Sequence, residues 1–340
     1  MKKPSAGFLY LPFVLLFLLT ACGLKQTAAP AVNNAPAQLQ PTAKAAATAV
    51  ATSTLAPTFE PAATQTAIPP TRTPAPPLAF NGEPAIGSTV TGNDGATLLF
   101  VPQGDFIMGA DAHKLFEACA KFRSDCRLEW FTNVEPERTV TLDAFWIDET
   151  EATNKMYKAC VDAGKCAPPF QINSYTRENY FGNPKFDDYP VIYVSWDQAD
   201  AYCAYAERRL PTEAEWEKAA RGADGRLYTW GNNPPSKKFL NYGLIAGDTT
   251  PVKKYPDGVS FYGAYDMAGN AWEWVADWYE ENYYKSAPSA NPMGPAFGTD
   301  KVSRGSAWTY YDFDVFVTDR YGNAPKTANN VLGFRCARSR

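Results

Sequence analysis

Histidine is almost absent from this chain: His113 is the one imidazole among 340 residues. A histidine-built metal centre is therefore disfavoured. No Cys-x-x-C pair occurs either, so the cysteines do not read as a zinc or redox motif. No Ser/His/Asp set and no phosphate-binding glycine loop can be found. Basic charge is not in excess, with Lys+Arg at 32 against Asp+Glu at 36 and a net charge of −4. With no basic stripe, the composition speaks against nucleic acid as a partner. Long apolar runs are missing too. The run from Phe8 to Leu19 falls short of the ~20 residues a membrane helix needs.

What that short run does fit is export. Lys2 and Lys3 precede it, and Leu19-Thr20-Ala21-Cys22 follows, the order of a secretory signal. The Leu-x-Ala-Cys ending resembles a bacterial lipobox. On that reading residues 1–21 are a signal peptide and Cys22 carries the lipid. Two or three acyl chains on one residue exceed the two-signal threshold for stable anchoring. The expectation is an exported protein, lipid-anchored to the extracytoplasmic face of a bacterial membrane. From Ala28 to Ala79 the sequence is Ala, Pro and Thr with little else. Such a composition cannot bury enough apolar surface to offset its ordering entropy. Residues 22–90 read as a flexible stalk with a reach of roughly 40 Å as a coil, more where proline stiffens it.

The remaining residues suit one large domain. With Cys22 assigned to the lipid, six cysteines remain, and an even set in an exported chain reads as disulfides. Cys119–Cys126 and Cys160–Cys166 are natural short loops, which leaves Cys203 with Cys336. Thr97–Val101 and Phe106–Met108 read as strands. Residues 138–147 alternate, and the alternation predicts a single strand with Val140, Leu142, Ala144 and Trp146 on one face. A short helix is expected around Lys114–Lys121, and another from Thr153 to Val161. Pro190–Val194 reads as a short buried strand. Ser195/Gln198 and Thr212/Glu215 form capping boxes that open two more helices, with Gly222 placed to end the second. Residues 301–305 lead into an irregular region, and 333–337 read as the terminal strand.

The densest stretch is Tyr265–Trp278, Y-D-M-A-G-N-A-W-E-W-V-A-D-W. It joins three tryptophans to Asp266, Glu273 and Asp277 around the bend-permissive pair Gly269-Asn270. Carboxylates are rarely buried unless paired or bound to metal. The residues alone describe a packed, irregular core turn with either satisfied acids or oxygen ligands for a cation.

Six blocks taken in order carry a resemblance. They are F-I-M-G (106–109), E-P-E-R-T-V-T-L-D-A-F-W-I-D-E-T-E-A-T-N (135–154), P-V-I-Y-V-S-W-D-Q-A-D-A-Y-C (190–203), R-L-P-T-E-A-E-W-E-K-A-A-R-G (209–222), Y-D-M-A-G-N-A-W-E-W-V (265–275) and G-F-R-C-A-R (333–338). Together they resemble the formylglycine-generating enzyme, or sulfatase-modifying factor, family over residues 97–338. The resemblance implies an α+β fold, a variant of the C-type-lectin-like fold rich in irregular structure. It supports the Cys203–Cys336 pair. It also implies structural calcium, with ligands from Asp266, Glu273 and the carbonyls of Gly269 and Ala271. A second site would draw on Asn241, the Tyr242 carbonyl and Asp248. Mixed carboxylate and carbonyl oxygens are what that hard cation takes.

The activity the family is known for does not carry over by residue. Its enzymes oxidise a substrate cysteine to an aldehyde with O₂, using two cysteines after an R-G-G-S-W block to hold copper(I). Here that block reads Arg304-Gly305-Ser306-Ala307-Trp308. Ala307 stands at the family's serine position, and the cysteine positions fall on Tyr310 and Val315. Neither side chain supplies the soft thiolate copper(I) prefers, so copper is not expected. The three-histidine iron chemistry of related sulfoxide synthases is excluded by the single histidine. The sequence thus reads as a calcium-stabilised surface module for a protein, peptide or glycan, with Trp272, Trp308, Tyr310 and Arg320 as candidate groove residues. The rival reading is an enzyme with altered chemistry in the same groove, where Tyr310, Tyr311, Asp312, Asp314, Asp319 and Arg320 would carry acid–base work.

Overall fold

The computed structural model describes residues 80, 82–311 and 314–340. The signal peptide, Cys22, nearly all of the stalk, and Asp312 lie outside the described residues. Among those described, no helix is long and apolar enough to cross a membrane.

A hairpin opens the domain. Strand β1 (Thr89–Thr91) pairs antiparallel with β2 (Thr97–Val101). Strand β3 (Gly104–Met108) follows, and then helix α1 (Ala112–Ala120), capped by the Asp111 carboxylate on the His113 N–H. The alternating stretch expected as one strand is two: β4 (Arg138–Leu142) and β5 (Phe145–Asp148). Strand β4 pairs with β3, whereas β5 pairs with β2 in a different sheet. The break falls at Asp143, whose N–H and carboxylate both bond the Asn291 side chain. The facing flips across it. Val140 and Leu142 share a core cluster with Phe145 and Ile147, while Ala144 and Trp146 face another cluster. A two-residue crossing between sheets thus replaces the continuous face that the alternation suggested.

Helix α2 (Asn154–Asp162) starts on the Thr153 hydroxyl, helix α3 (Trp196–Tyr205) on the Ser195/Gln198 box, and helix α4 (Glu213–Arg221) on the Thr212/Glu215 box. Both boxes have their two reciprocal hydrogen bonds. Ala199, Tyr202, Cys203 and Ala206 are buried along one face of α3 and its cap, as their spacing requires. Residues 190–192 and 194 are buried and Tyr193 is half-buried, but the segment does not form a strand. Tyr193 has φ +58°, and a left-handed residue cannot continue a β ladder. Gly222 ends α4 at φ +72°, where a Cβ would lie 2.9 Å from Phe261.

Strand β6 (Trp272–Trp278) runs at the centre of the last sheet. Strand β7 (Lys301–Arg304) pairs antiparallel with β6 and with β8 (Arg320–Asn323), and the short β9 (Leu332–Phe334) pairs parallel with β6. Residues 301–304 are therefore a strand rather than the start of irregular chain. The terminal strand expected at 333–337 splits likewise into β9 and β10 (Ala337–Ser339), which joins β5 in the first sheet. Arg335 and Cys336 lie between the two and tie the sheets together. The sheet orders are β1-β2-β5-β10, β3-β4 and β8-β7-β6-β9. All three disulfides read from the sequence are present: Cys119–Cys126, Cys160–Cys166 and Cys203–Cys336.

Candidate metal centre and groove

The turn before β6 is built by three positive-φ residues, Asp266 (+56°), Gly269 (+75°) and Asn270 (+60°). Asx residues and glycine tolerate this region best. Space demands glycine at 269 as well, because a Cβ there would lie 2.3 Å from the Asn241 carbonyl oxygen. The turn delivers Glu273, fully buried, to the start of β6. Its Oε2 accepts from the Trp216 indole and from Arg335 Nε, each at 2.7 Å, and its Oε1 accepts from Arg335 Nη2 at 2.7 Å. Arg335 also donates to the carbonyls of Asp148 and Tyr265. The acid of the stretch is thus satisfied from outside it, by Trp216 and Arg335, while the stretch's own Trp274 indole donates to the Val194 carbonyl.

Two further carboxylates face this pair. Asp266 Oδ2 accepts from the Lys253 N–H at 3.0 Å. Glu151 Oε1 accepts from Asn270 Nδ2 at 2.9 Å, while its Oε2 is buried with no hydrogen-bond partner. Burial, and then repulsion from Glu273, pushes the Asp266 carboxyl up to about 6. Burial, and then Asp266 and Glu273, holds Glu151 well above the usual carboxylate range. Three buried carboxylates therefore share one guanidinium, a charge imbalance that a proton or a cation must offset.

The residues present fit a divalent, oxygen-seeking ion on one ground, the orphaned buried oxygen of Glu151; the charge count is met equally by protons on Glu151 and Asp266, whose carboxyls are both raised. No three acidic, histidine or cysteine groups among the described residues converge as a ready side-chain cage. A set made of two carboxylates and the carbonyls of Gly269 and Ala271 would not form one. Glu151 was not singled out in the sequence. Its signal is weak, the second of two glutamates in E-T-E-A-T-N, far in sequence from the Asp266–Glu273 turn.

The second expected set divides. Asn241 Oδ1 is buried and unpartnered, while its Nδ2 donates to the Asp248 carbonyl and to Asn270. The Tyr242 carbonyl accepts from Ile245 N–H at 3.0 Å. Asp248 does not serve as foreseen. Its Oδ2 accepts from Ser174, the Thr176 N–H and the Thr176 hydroxyl and pairs with Arg177, and its Oδ1 accepts from Thr249 N–H. Burial alone would raise this carboxyl, but the bonds from Ser174 and Thr176 bring it below its usual value. Asp248 is a structural anchor, and its lone pairs are already in use.

The residues expected to line a groove lie on the far side of Asn270, but Trp272 and Trp308 are buried there and only Tyr310 is part-exposed. The Trp308 N–H donates to the Asn270 carbonyl, and Tyr310 and Trp308 take the N–H groups of Gly243 and Leu244. Tyr310 (36% exposed) stands edge-on to Trp272 with centroids 5.5 Å apart, and Tyr321 (58%) meets Trp272 at 6.3 Å. Tyr175 packs on Trp308 at 5.3 Å. Arg320 does not belong to this groove. It is buried, its guanidinium bonded to both Glu213 oxygens and to the carbonyls of Asn133 and Glu280. Val315 is buried beside Phe316 in an apolar cluster, and Ala307 is fully buried. Cys336, the nearest thiol in sequence, is bonded to Cys203.

Comparison with known proteins bears on family and fold. The model of the sulfatase-modifying factor enzyme 1-like domain matches residues 86–340. The formylglycine-generating enzyme of Streptomyces coelicolor is 34% identical over 258 residues, 59% of this chain and 80% of that protein. The mouse (Mus musculus) protein named inactive C-alpha-formylglycine-generating enzyme 2 is 40% identical over 166 residues, 44% of this chain and 49% of its own. Among solved structures, PvdO from Pseudomonas aeruginosa superposes with a TM-score of 0.61 at 24% identity, covering 76% of this chain and 100% of PvdO, a likeness of fold.

Proposed function

The chain belongs to the sulfatase-modifying factor enzyme 1-like family, and from that premise we propose that this member is a calcium-stabilised binding module held at a cell surface by a lipid on Cys22, not a formylglycine generator. One observation carries the reading. Every cysteine of the described residues is locked in a disulfide, and the positions where the family's copper pair falls hold the groove residue Tyr310 and the core residue Val315. Copper(I) needs soft ligands, and no thiolate stands here to hold it.

Calcium belongs to the same proposal. Asp266 and Glu273 would supply carboxylate oxygens and Gly269 and Ala271 carbonyls, with the Glu151 carboxylate beside them. The ion would supply positive charge that locks the turn carrying Trp272. The Pro-rich stretch would stand the domain off from the membrane. The test of the central reading is a copper(I) competition. The purified domain, titrated with a chromogenic copper(I) chelator, is expected to retain no stoichiometric metal. Retention of one copper(I) per chain against the chelator would overturn it.

A second reading keeps an enzyme in the groove. It is favoured by one feature: Asp314 and Asp319 both face Tyr310, and paired carboxylates are able to divide acid and base roles. Nothing in the groove orients a nucleophile toward them, so the binding reading is preferred.

A further inference from the structure

One cleft in the domain belongs to none of the sites above. It holds about 360 Å³ between the β4–β5 crossing, the start of α4 and the segment 291–293, and Leu142, Leu210, Ala276 and Met293 form its apolar walls. Its charges are already paired: Glu215 takes Arg209 through both oxygens at 2.6 Å, and Arg340 pairs with Glu83. Arg209 also donates to the Leu210 carbonyl and the Ser339 hydroxyl, so its four terminal N–H groups are all in use. No fork is left for an anion. The side chain is nonetheless 34% exposed. What a planar guanidinium with satisfied edges still offers is its flat face.

Elsewhere in this fold such faces meet aromatic rings. Arg320, also bonded to both oxygens of a glutamate, lies over Tyr279 and Tyr284 at 4.8 and 4.5 Å from the centroids. Arg177 lies over Phe186 and Tyr189 at 5.4 and 5.0 Å. Among the described residues, no aromatic side chain lines the Arg209 cleft. A ring laid on this guanidinium would gain the cation–π contact and meet the Met293 thioether. Space suffices, since a cavity of about 150 Å³ already holds benzene. A ring of the right kind stands outside the cleft. Phe297 is 85% exposed, the highest value for a large apolar side chain among the described residues, and Met293 is 73% exposed. Their segment is pinned: Cβ atoms on Gly294 and Gly298 would lie 2.7 Å from Asp277 and 3.0 Å from Trp278, and Asn291 is bonded to Asp143. Two large apolar side chains held in water beside an open apolar cleft exceed the scattered single residues of an ordinary surface.

We propose that the Arg209 cleft receives the Phe297 ring of a second copy of this chain. Ring and cleft share one segment, with Asn291–Met293 in the lining and Phe297 four residues further on. A two-fold axis beside that segment sends each ring into the other copy's cleft, and the contact closes as a symmetric pair. The phenyl lies on the Arg209–Glu215 plane, and both Met293 side chains are covered. A neutral ring matches a cleft whose charges are already paired. Two rings at roughly 150–250 Å² each, with the methionines and the walls they cover, approach the low end of specific interfaces, about 1,200 Å². The dimer is therefore weak and concentration-dependent. It does not depend on the binding-module reading.

The test is sedimentation equilibrium of the whole chain, carrying Cys22→Ser to keep it in solution without a lipid, from about 5 to about 500 μM. Reversible dimerisation is expected. Phe297→Ser, at an exposed position that leaves the fold intact, should weaken the dimer at least about tenfold. Arg209→Lys keeps the charge but loses the flat face, and should weaken it by a similar factor, with melting curves to confirm its fold. Phe297→Trp should keep the dimer. In a mixed-labelled sample, isotope-filtered NOEs should join the Phe297 ring of one copy to the Leu142 and Leu210 methyls of the other. A monomer across the whole range overturns the proposal. So does a dimer that Phe297→Ser leaves unchanged, or one without those NOEs. Indole probes the cleft alone: it should bind the Phe297→Ser chain and dissociate the dimer of the unsubstituted one. Indole binding to a chain that stays monomeric would give the cleft to another aromatic partner and overturn the second copy as its occupant.

Discussion

Glu273 shows how one side chain serves two ends. It completes a hydrogen-bonded set with Trp216 and Arg335, and it faces Asp266 and Glu151 across a buried space. Its removal therefore tests two things at once. Glu273→Ala strands a buried guanidinium, a loss of about 3–5 kcal/mol whether or not calcium binds. Glu273→Gln is the milder probe, since its one amide oxygen still accepts, but its NH2 meets an Arg335 donor, so the variant is compared with itself with and without chelator. A chelator is expected to lower the melting temperature of the wild type and to leave that of Glu273→Gln nearly unchanged. Absence of any chelator effect on the wild type would remove calcium from the account.

Asp277 offers a pH test at the same scale, free of the metal question. Burial, and then repulsion from Glu213, pushes its carboxyl up to about 8, although it accepts from the Glu213 N–H at 2.8 Å. The folded state thus keeps a proton that the unfolded chain releases near 3.8. A folded value above the unfolded one means that the contribution is present at low pH and is lost as pH rises through about 8. Asp277→Asn is expected to flatten the fall in stability between roughly pH 4 and pH 8. An unchanged slope in urea melts across that range would refute the assignment.

At the scale of elements, helix α4 is the clearest case. All nine of its residues are buried, and its first turn is fixed by Thr212 and Glu215. Thr212→Ala is expected to cost about 1 kcal/mol in urea denaturation. These caps were legible in the sequence because the groups that satisfy one another lie three residues apart. The same locality made the helix starts and the short disulfide loops readable. Pro190–Val194 misled because apolar composition says nothing of φ at Tyr193. The 138–147 stretch misled because its alternation continues through a crossing pinned by Asn291, far away in sequence. Arg320 was placed in the groove by its neighbours in sequence, and Glu213 holds it elsewhere. Of the site, the turn and Glu273 were readable. Arg335 and Glu151 were not, because their roles come from partners that only the fold brings near.

At the scale of the whole molecule, the Cys203–Cys336 bridge closes a separation of 133 residues and ties α3 to the chain between β9 and β10. Chain-entropy reasoning gives such a closure roughly 4–5 kcal/mol. The double variant Cys203→Ala with Cys336→Ala should lose about that much. A far smaller loss, by equilibrium denaturation, would show that the sheets hold the C-terminus without it. The lipid anchor is tested separately: Cys22→Ser should release the protein from the membrane fraction and abolish metabolic labelling by a fatty-acid analogue.

The central question is whether this family member still makes aldehyde. The direct measurement is mass spectrometry of a Cys-x-Pro-x-Arg peptide after incubation with the purified domain, copper(I) and O₂. With both copper positions occupied by Tyr310 and Val315 and Cys336 held in a disulfide, the peptide should be recovered with its cysteine intact, while the Streptomyces coelicolor enzyme assayed alongside converts it. Catalytic accumulation of formylglycine by this chain would contradict the account at its centre.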